Sequence, residues 1–118
     1  MSTLDTAISA LKSGLSGRLI LPGDADYDAA RAVMYGGMDF HPAAIAKVRS
    51  SKDMQKVLAV SAENRIEVAV RGGGHSGAGH CSTEGGIVID LRDMKAIEID
   101  AAAKTVWAET GVTAGELT

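Results

Sequence analysis

A glycine-rich stretch between two apolar runs constrains this chain more than any other feature of its sequence. Residues 71–80 read RGGGHSGAGH, and the strand-like runs 66–70 and 87–90 lie on either side. Glycine adopts positive φ without strain and lets a ligand lie against backbone N–H groups, which form a nest suited to phosphate or pyrophosphate. Arg71 adds a fixed positive charge at the edge of this nest, and His75 places a nucleophilic imidazole at its centre. The pattern predicts a site that holds a nucleotide cofactor and can tether it covalently.

The residues before the loop predict a parallel strand–helix–strand unit. Residues 43–48 are small or β-branched, and the apolar run 66–70 is the second strand. Between them, Ser50 or Ser51 caps a helix whose first turn carries Asp53. The face of this helix that we expect to be buried contains Met54, Val57, Leu58 and Ser61. A crossover of this length implies a parallel pair, so the loop lies at the carboxyl end of its strand, where open α/β sheets bind ligands.

The remaining segments predict further short elements. Before this unit we expect a helix at 3–13 ended by Gly14 and Gly17, an apolar run at 19–21, and a helix at 27–35 capped by Asp24 or Asp26. After the loop we expect a turn at Gly85-Gly86 into a buried strand at 87–91, an antiparallel hairpin of residues 96–100 and 105–109, and a helix start at 113–117. Trp107 alternates within the hairpin, which is typical of core packing. The chain divides into a helical lead-in, residues 1–38, and a second part, residues 39–118.

Composition and charge exclude several classes of function. The formal net charge of −3 and an aromatic content of 3% argue against a surface that binds nucleic acid. No apolar run approaches the roughly 20 residues that span a membrane, and no basic cluster indicates binding to its surface. The single cysteine excludes an intrachain disulfide, and the N-terminus lacks the basic region of a secretory signal. We expect a cytoplasmic protein that binds neither nucleic acid nor membrane.

The loop also fits a dinucleotide-binding fingerprint, but only in part. Residues 72–77 match GxGxxG, a pattern that requires a helix directly after the loop. Gly79, Ser82 and the pair Gly85-Gly86 leave no room for that helix before the next strand. A glycine-rich turn without a ligand is the simplest alternative, and the charged and imidazole side chains within the loop make it less favoured.

The histidine and cysteine at the end of the loop allow two more interpretations. His80 and Cys81 make a poor zinc site, because two adjacent donors lack a second pair. Cys81 as a nucleophile needs a positioned base, and adjacency in sequence does not orient His80 toward it. The sequence therefore assigns neither a metal site nor a catalytic residue.

From about Gly17 onward the chain carries an ordered set of motifs. They are Leu21-Pro22-Gly23-Asp24 with Tyr27 and Arg31, His41-Pro42-Ala43 with Ile45, Asp53, Arg71–Ser76 with Gly79, Gly85-Gly86, Val88–Leu91, Met94, Asp100 and Gly111. This set resembles the FAD-binding region of FAD-linked oxidases, the berberine-bridge-enzyme-like members of the vanillyl-alcohol oxidase superfamily. The resemblance implies an α+β (α/β) fold, the first subdomain of a PCMH-type FAD-binding domain. Its short parallel strand–helix–strand unit is followed by a mostly antiparallel strand set, and the second part of the chain, 39–118, becomes the FAD-binding domain.

The resemblance also assigns the cofactor and its contacts. FAD is the implied cofactor, with its pyrophosphate wrapped by backbone N–H groups of the loop. His75 is implied to bond covalently to the flavin 8α-methyl group. The implied non-covalent contacts are Arg71, Gly72, Gly73, Gly74, Ser76, Gly77, Gly79 and His80.

Two departures from the family pattern limit what the chain is expected to do alone. Many members carry a second link, from a cysteine several dozen residues beyond the histidine, and Cys81 is too close to His75 for that role. The resemblance also implies a remainder of the second FAD subdomain and a substrate-binding domain, which hold the catalytic base, and we expect this chain to lack both. We expect the amino-terminal piece of an oxidase whose flavin accepts hydride from an alcohol or amine carbon and is reoxidised by oxygen. A small-molecule substrate then binds only in a complete enzyme.

Two alternatives remain for the function, and one physical consequence follows from truncation. The chain could be a non-enzymatic fragment or split-gene half that works only with a complementary chain. It could also be a nucleotide-binding module without a redox role, which binds colourless nucleotides but not flavin. In a truncated chain an uncovered sheet face exposes apolar surface, so we expect self-association.

Overall fold

The computed structural model describes residues 3–31, 40–72, 83–95 and 97–109. The helices are α1 (Thr3–Gly14), α2 (Tyr27–Arg31) and α3 (Ser51–Glu63). The strands are β1 (Arg18–Ile20), β2 (Ala44–Lys47), β3 (Val68–Arg71), β4 (Ile87–Asp90), β5 (Ile97–Asp100) and β6 (Thr105–Ala108). The predicted strand at 66–70 begins two residues later than expected and continues through Arg71. The predicted end of the helix at 27–35 and the predicted helix start at 113–117 lie outside the described residues.

Strands β1 to β4 form one sheet in the order β1-β2-β4-β3, and β5 and β6 form a separate antiparallel pair. β2, β4 and β3 run parallel, and β1 is antiparallel to β2. The sequence predicted that β2 and β3 pair directly, but β4 lies between them. β4 is buried at all four positions, so it needs a strand on each side and helices on both faces. The mixed α/β class is confirmed; of the strands after the loop, β4 joins the parallel strands and β5 and β6 pair antiparallel.

Helices cover both faces of the four-stranded sheet. On one face the buried residues, from α1, β2, α3 and β4, include Ala7, Leu11, Ala44, Ala46, Val57, Val60, Ile87 and Ile89. On the other face the buried residues, from β1, α2, β2 and β4, are Ile20, Tyr27, Ile45 and Val88. Segments from the lead-in thus pack into both cores, and the division near residue 38 stays a prediction. The predicted buried face of α3 is wrong at Leu58, which is 51% exposed, whereas Val57 and Val60 are buried in the core.

A buried carboxylate joins the turn after α1 to the start of α3. Ser50 caps α3, its hydroxyl accepting a hydrogen bond from the Asp53 N–H at 3.3 Å. The Asp53 carboxylate accepts from the N–H of Ser16 at 3.0 Å, its hydroxyl at 2.8 Å, the N–H of Gly17 at 3.1 Å and the N–H of Arg49 at 2.9 Å. Burial alone would raise the pKa of Asp53, but the hydrogen bonds outweigh it and lower the pKa below its ordinary value.

The β5–β6 hairpin presents one apolar face. Cross-strand partners share a face, so the pairing of Ile97 with Ala108 and of Ile99 with Val106 places all four together. Ile99 is 73% exposed and Val106 is 56% exposed. Trp107 lies opposite Glu98 on the other face and is 56% exposed, so the expectation that it packs in a core is wrong.

We expect this apolar hairpin face to cause self-association of the chain, since exposed apolar patches drive association in water. Replacing both Ile99 and Val106 by threonine retains strand propensity while reducing the apolar surface. Sedimentation velocity over a concentration series should then show a larger monomer fraction for the double variant. Leu58→Thr, at a similarly exposed apolar position on α3, is the control and should leave association unchanged. A wild-type chain that sediments as a monomer at every concentration would contradict the expectation.

Candidate cofactor site at the carboxyl edge of the sheet

A row of charged residues crosses all four strands where the parallel strands end. Arg18, Lys47, Asp90 and Arg71 are consecutive partners in the strand register. Each lies two residues from a member of the apolar row Ile20, Ile45, Val88 and Ala69. Side chains two apart along a strand point to the same side, so the charged row lies on the α2 face. It forms the polar border of that core.

Arg71 ends β3 and directs its guanidinium toward α2. Its Nη1 donates to the carbonyl of Ala30 at 2.8 Å, and the residue is only 6% exposed. Its own carbonyl accepts from the N–H of Leu91 at 2.8 Å, which joins the ends of β3 and β4. Gly72 follows at once, so the predicted loop leaves the sheet at its carboxyl edge. The chain is therefore fixed on both backbone and side chain where the loop begins.

The buried Asp90 carboxylate pairs with the partly exposed Arg92 beside Arg71. Arg92 Nε donates to both carboxylate oxygens of Asp90, at 2.9 and 3.0 Å, and the N–H of Arg92 adds a bond of 3.0 Å. Asp90 is fully buried, and hydrogen bonding to it raises the pKa of Arg92. Arg92 Nη2 also donates to the Ala30 carbonyl at 3.3 Å. Two guanidinium groups thus converge on one carbonyl of α2.

Side chains of α2 also donate hydrogen bonds to the segment that leads into β2. The Tyr27 hydroxyl donates to the Pro42 carbonyl at 2.6 Å, and Arg31 Nη1 donates to the Phe40 carbonyl at 3.1 Å. The Arg31 guanidinium lies 5.9 Å from the centre of the Tyr27 ring. Burial raises the pKa of the Tyr27 hydroxyl. Motif residues that stand apart in the sequence, around 27–31 and 40–43, are therefore neighbours in the fold.

A cleft of about 310 Å³ opens beside the charged row. It is lined by Ile20, Asp26, Ala29, Ala30, Lys47, Arg92, Asp93 and Lys95. Lys47 Nζ lies 3.5 Å from Asp93 Oδ1, and Arg18 bonds Asp26 at the rim. The volume is at the low end of small-molecule sites. Its lining contains more cationic than anionic side chains, and it lies next to the carboxyl ends of β2 and β4.

The chain re-enters the described structure at Thr83, at the opposite edge of the sheet from Gly72. The Thr83 hydroxyl donates to Glu67, just before β3. Gly85 has a φ of +77° and donates to the His41 carbonyl at 3.0 Å, which confirms the predicted turn at this point. A Cβ on Gly86 would lie 2.4 Å from the Glu67 carbonyl oxygen, so only glycine fits there. The far end of the loop is therefore also tightly fixed.

Of the residues that the sequence assigned to the cofactor, Arg71 and Gly72 lie within the described structure. Gly73, Gly74, His75, Ser76, Gly77, Gly79 and His80 lie outside it, and so does Cys81. Their roles remain predictions. Among the described residues, no three His, Cys, Asp or Glu side chains cluster in a way that could hold a metal ion. No helix in the described ranges is long and apolar enough to cross a membrane.

Asp90 and Arg92 have no role predicted from the sequence. One signal for them is a carboxylate at the end of an otherwise apolar strand, with arginine two residues later. A buried carboxylate requires a partner, and Arg92 is the nearest cation in the sequence. No signal in the sequence identifies the Ala30 carbonyl as an acceptor, because every residue has a backbone carbonyl.

Comparison with known proteins places these features in context. Residues 42–118 match the family described as FAD binding domain. (R)-6-hydroxynicotine oxidase from Paenarthrobacter nicotinovorans is 36% identical over 103 residues, which are 87% of this chain and 22% of that protein. An uncharacterised FAD-linked oxidoreductase from Bacillus subtilis is 32% identical over 106 residues, 90% of this chain and 24% of that protein.

Solved structures agree with the observed fold. The crystal structure of 6-hydroxy-D-nicotine oxidase from Arthrobacter nicotinovorans superposes with a TM-score of 0.84 at 36% identity, covering 87% of this chain and 23% of that one. A xylooligosaccharide oxidase from Myceliophthora thermophila superposes at 0.82 over 97% of this chain and 24% of that one. Its identity is 20%, so this second match bears on the fold alone.

A parallel sheet with a glycine-rich loop leaving its carboxyl edge defines a class of cofactor-binding α/β domain. Within that class, the match over residues 42–118 specifies the group. The chain belongs to the FAD binding domain family, of the vanillyl-alcohol oxidase superfamily, and its relatives include FAD-linked oxidoreductases. The resemblance drawn from the motifs is confirmed. The chain spans about a quarter of the length of the relatives it matches.

Proposed function

We propose that this chain is the pyrophosphate-binding portion of an FAD-dependent oxidase. The observation that carries the proposal is the position of Arg71-Gly72, which starts the glycine loop at the carboxyl edge of the parallel strands. Backbone N–H groups of residues 72–80 hold the pyrophosphate, and His75 bonds covalently to the flavin 8α-methyl carbon. That bond would replace one methyl C–H and the imidazole N–H, and dioxygen would accept the two hydrogens and two electrons as hydrogen peroxide.

The charges at this edge fit an anionic cofactor. The cations that end or follow β2 and β4 are Lys47, Arg49, Arg92 and Lys95, and the carboxylates are Asp53, Asp90 and Asp93. The excess of positive charge favours the two negative charges of a pyrophosphate. Gly72 lies next to these charges and has no side chain, so a phosphate can reach its backbone.

The protein groups of this chain bind and orient the cofactor, and the chemistry comes from the flavin. Bound FAD supplies the acceptor for hydride from an alcohol or amine carbon of a small-molecule substrate, with reoxidation by oxygen. We assign no residue of this chain to the proton transfer that accompanies hydride removal. Substrate binding belongs to further polypeptide, since the relatives are about four times as long. The cytoplasmic location expected from the sequence is part of the proposal.

The decisive experiment is the visible absorption spectrum of the purified chain before and after acid precipitation. We expect flavin absorption that stays with the precipitated protein and disappears from the pellet in His75→Ala. His41→Ala is the matched control, because His41 lies beside Glu84 near the amino ends of the strands. It should retain the colour.

The other outcomes separate the alternatives. Flavin released to the supernatant from wild type would contradict the covalent bond and leave His75 as a non-covalent contact. A colourless chain that also fails to bind added FAD would favour a non-enzymatic fragment or split half that requires a complementary chain. Binding of colourless nucleotides without flavin would favour a nucleotide-binding module without a redox role.

A further inference from the structure

We infer that Arg71 acts on the cofactor loop as a positioning residue, by joining β3 to α2 together with Arg92, rather than as a charge partner of the pyrophosphate. The inference rests on the proposed function, because the loop it positions is the proposed cofactor loop. The Ala30 carbonyl with the Arg71 and Arg92 guanidiniums and the Asp90 carboxylate is called the Ala30 junction below. Its geometry lies entirely within the described residues.

The first step is the direction of the Arg71 side chain. Arg71 shares the α2 face of the sheet with Ala69, and its Nη1 lies 2.8 Å from the Ala30 carbonyl oxygen. A guanidinium that serves as a charge partner for a phosphate needs access to the ligand. Arg71 is instead only 6% exposed, and its Nη1 is bonded to the backbone of α2.

The Ala30 junction joins one residue that precedes the loop in sequence to one that follows it. Arg71 immediately precedes the loop, and Arg92 follows β4, the strand into which the loop leads. Both donate to the same carbonyl, at 2.8 and 3.3 Å. Asp90 fixes the orientation of Arg92 through both carboxylate oxygens. The Ala30 junction therefore fixes the point where the loop leaves the sheet relative to both β4 and α2.

Two substitutions of Arg71 separate the effect of its geometry from the effect of its charge. Lysine at position 71 would keep the positive charge, but its ammonium lies about one bond short of the position of Nη1. It would therefore lose the Ala30 bond. Methionine would lose both charge and bond while keeping an apolar stem of similar length. A positioning residue is harmed by both substitutions, whereas a charge partner is rescued by lysine.

The test measures FAD affinity of the full chain by flavin fluorescence over a range of salt concentrations. We expect Arg71→Lys and Arg71→Met to weaken binding by similar factors of about ten, the size of one hydrogen bond to a charged group. The salt dependence should stay that of wild type, since no ligand charge pair is lost. Arg65→Met removes a guanidinium from the exposed turn after α3 and should bind like wild type.

A second readout follows the junction itself. Amide hydrogen exchange of residues 27–31 should accelerate in Arg71→Met and in Arg92→Met and stay unchanged in Arg65→Met. Far-ultraviolet circular dichroism checks that each variant is folded before either measurement is interpreted.

Four results would overturn the inference. Wild-type affinity in Arg71→Lys, with a weaker salt dependence in Arg71→Met, would make Arg71 a charge partner. Unchanged exchange of the α2 amides in the variants would show that the Ala30 junction does not stabilise α2. Unchanged affinity in Arg71→Met would remove the role in binding while the proposed function stands. A wild-type chain that binds no FAD would refute the proposed function as well, so the two failures are distinguishable.

Discussion

Replacing Asp53 by alanine is expected to lower the free energy of unfolding by about 3 kcal/mol, the cost of leaving several buried donors unsatisfied. The carboxylate accepts from two N–H groups and a hydroxyl in the turn after α1, and from the Arg49 N–H before α3. Urea unfolding monitored by circular dichroism measures the change. Glu63→Ala, at an exposed acidic position on the same helix, is the control and should change stability by only a few tenths of a kcal/mol.

The same carboxylate makes stability depend on pH in a predictable direction. Its pKa is lower in the folded chain than the ordinary value of 3.8, so the folded state binds this proton more weakly than the unfolded state. The stabilisation is therefore fully present above pH 3.8 and is lost as the pH falls through the lowered pKa. In Asp53→Asn the acid-induced loss of stability should be smaller than in wild type. Equal losses in the two proteins would show that other carboxylates control acid unfolding.

Gly17→Ala is the second substitution for which we expect a large effect. A Cβ at this position would lie 1.9 Å from the carbonyl oxygen of Lys47 and 3.0 Å from its carbonyl carbon, both backbone atoms of β2. The strand would have to move, and the bond from the Gly17 N–H to Asp53 would be strained, so a loss of about 3 kcal/mol is expected.

Gly14→Ala provides the matched control for this substitution. The nearest atom to its added Cβ is the Lys56 Cε at 2.7 Å, the far end of a flexible side chain that can turn aside. Alanine also favours the last turn of α1, so stability should stay within about 1 kcal/mol of wild type. Thermal unfolding of the two variants side by side tests the contrast. Equal destabilisation by both would contradict the close approach of Gly17 to the backbone of β2.

The sequence predicted the elements well because their signals are local. Capping by Ser50, the end of α1 at Gly14 and the turn at Gly85 each follow from a residue type and its immediate neighbours. The burial of β4 follows equally from its run of β-branched residues. The order of the sheet does not, because strand–helix–strand spacing fixes direction and leaves open which strand inserts between the two.

The site was harder to predict for the same reason. The glycine loop is contiguous and could be recognised, whereas the Ala30 junction joins residues 41 and 62 positions apart. Asp53 shows the same limit at a structural position. Its place in the first turn of α3 was evident, but its bonds to Ser16 and Gly17 depend on how α1 packs on α3.

The insertion of β4 between β2 and β3 links assembly of the core to closure of the loop. β2 and β3 share no hydrogen bonds in the sheet, so neither strand is paired on its inner edge until the chain has passed through residues 72–86 and β4 has docked. The entropy of closing such a connection grows slowly, by about 0.6 kcal/mol for each doubling of its length. The connection can therefore gain residues at little thermodynamic cost while both of its ends stay fixed. The residues of this connection that contact the cofactor can therefore vary while its two ends keep the core intact.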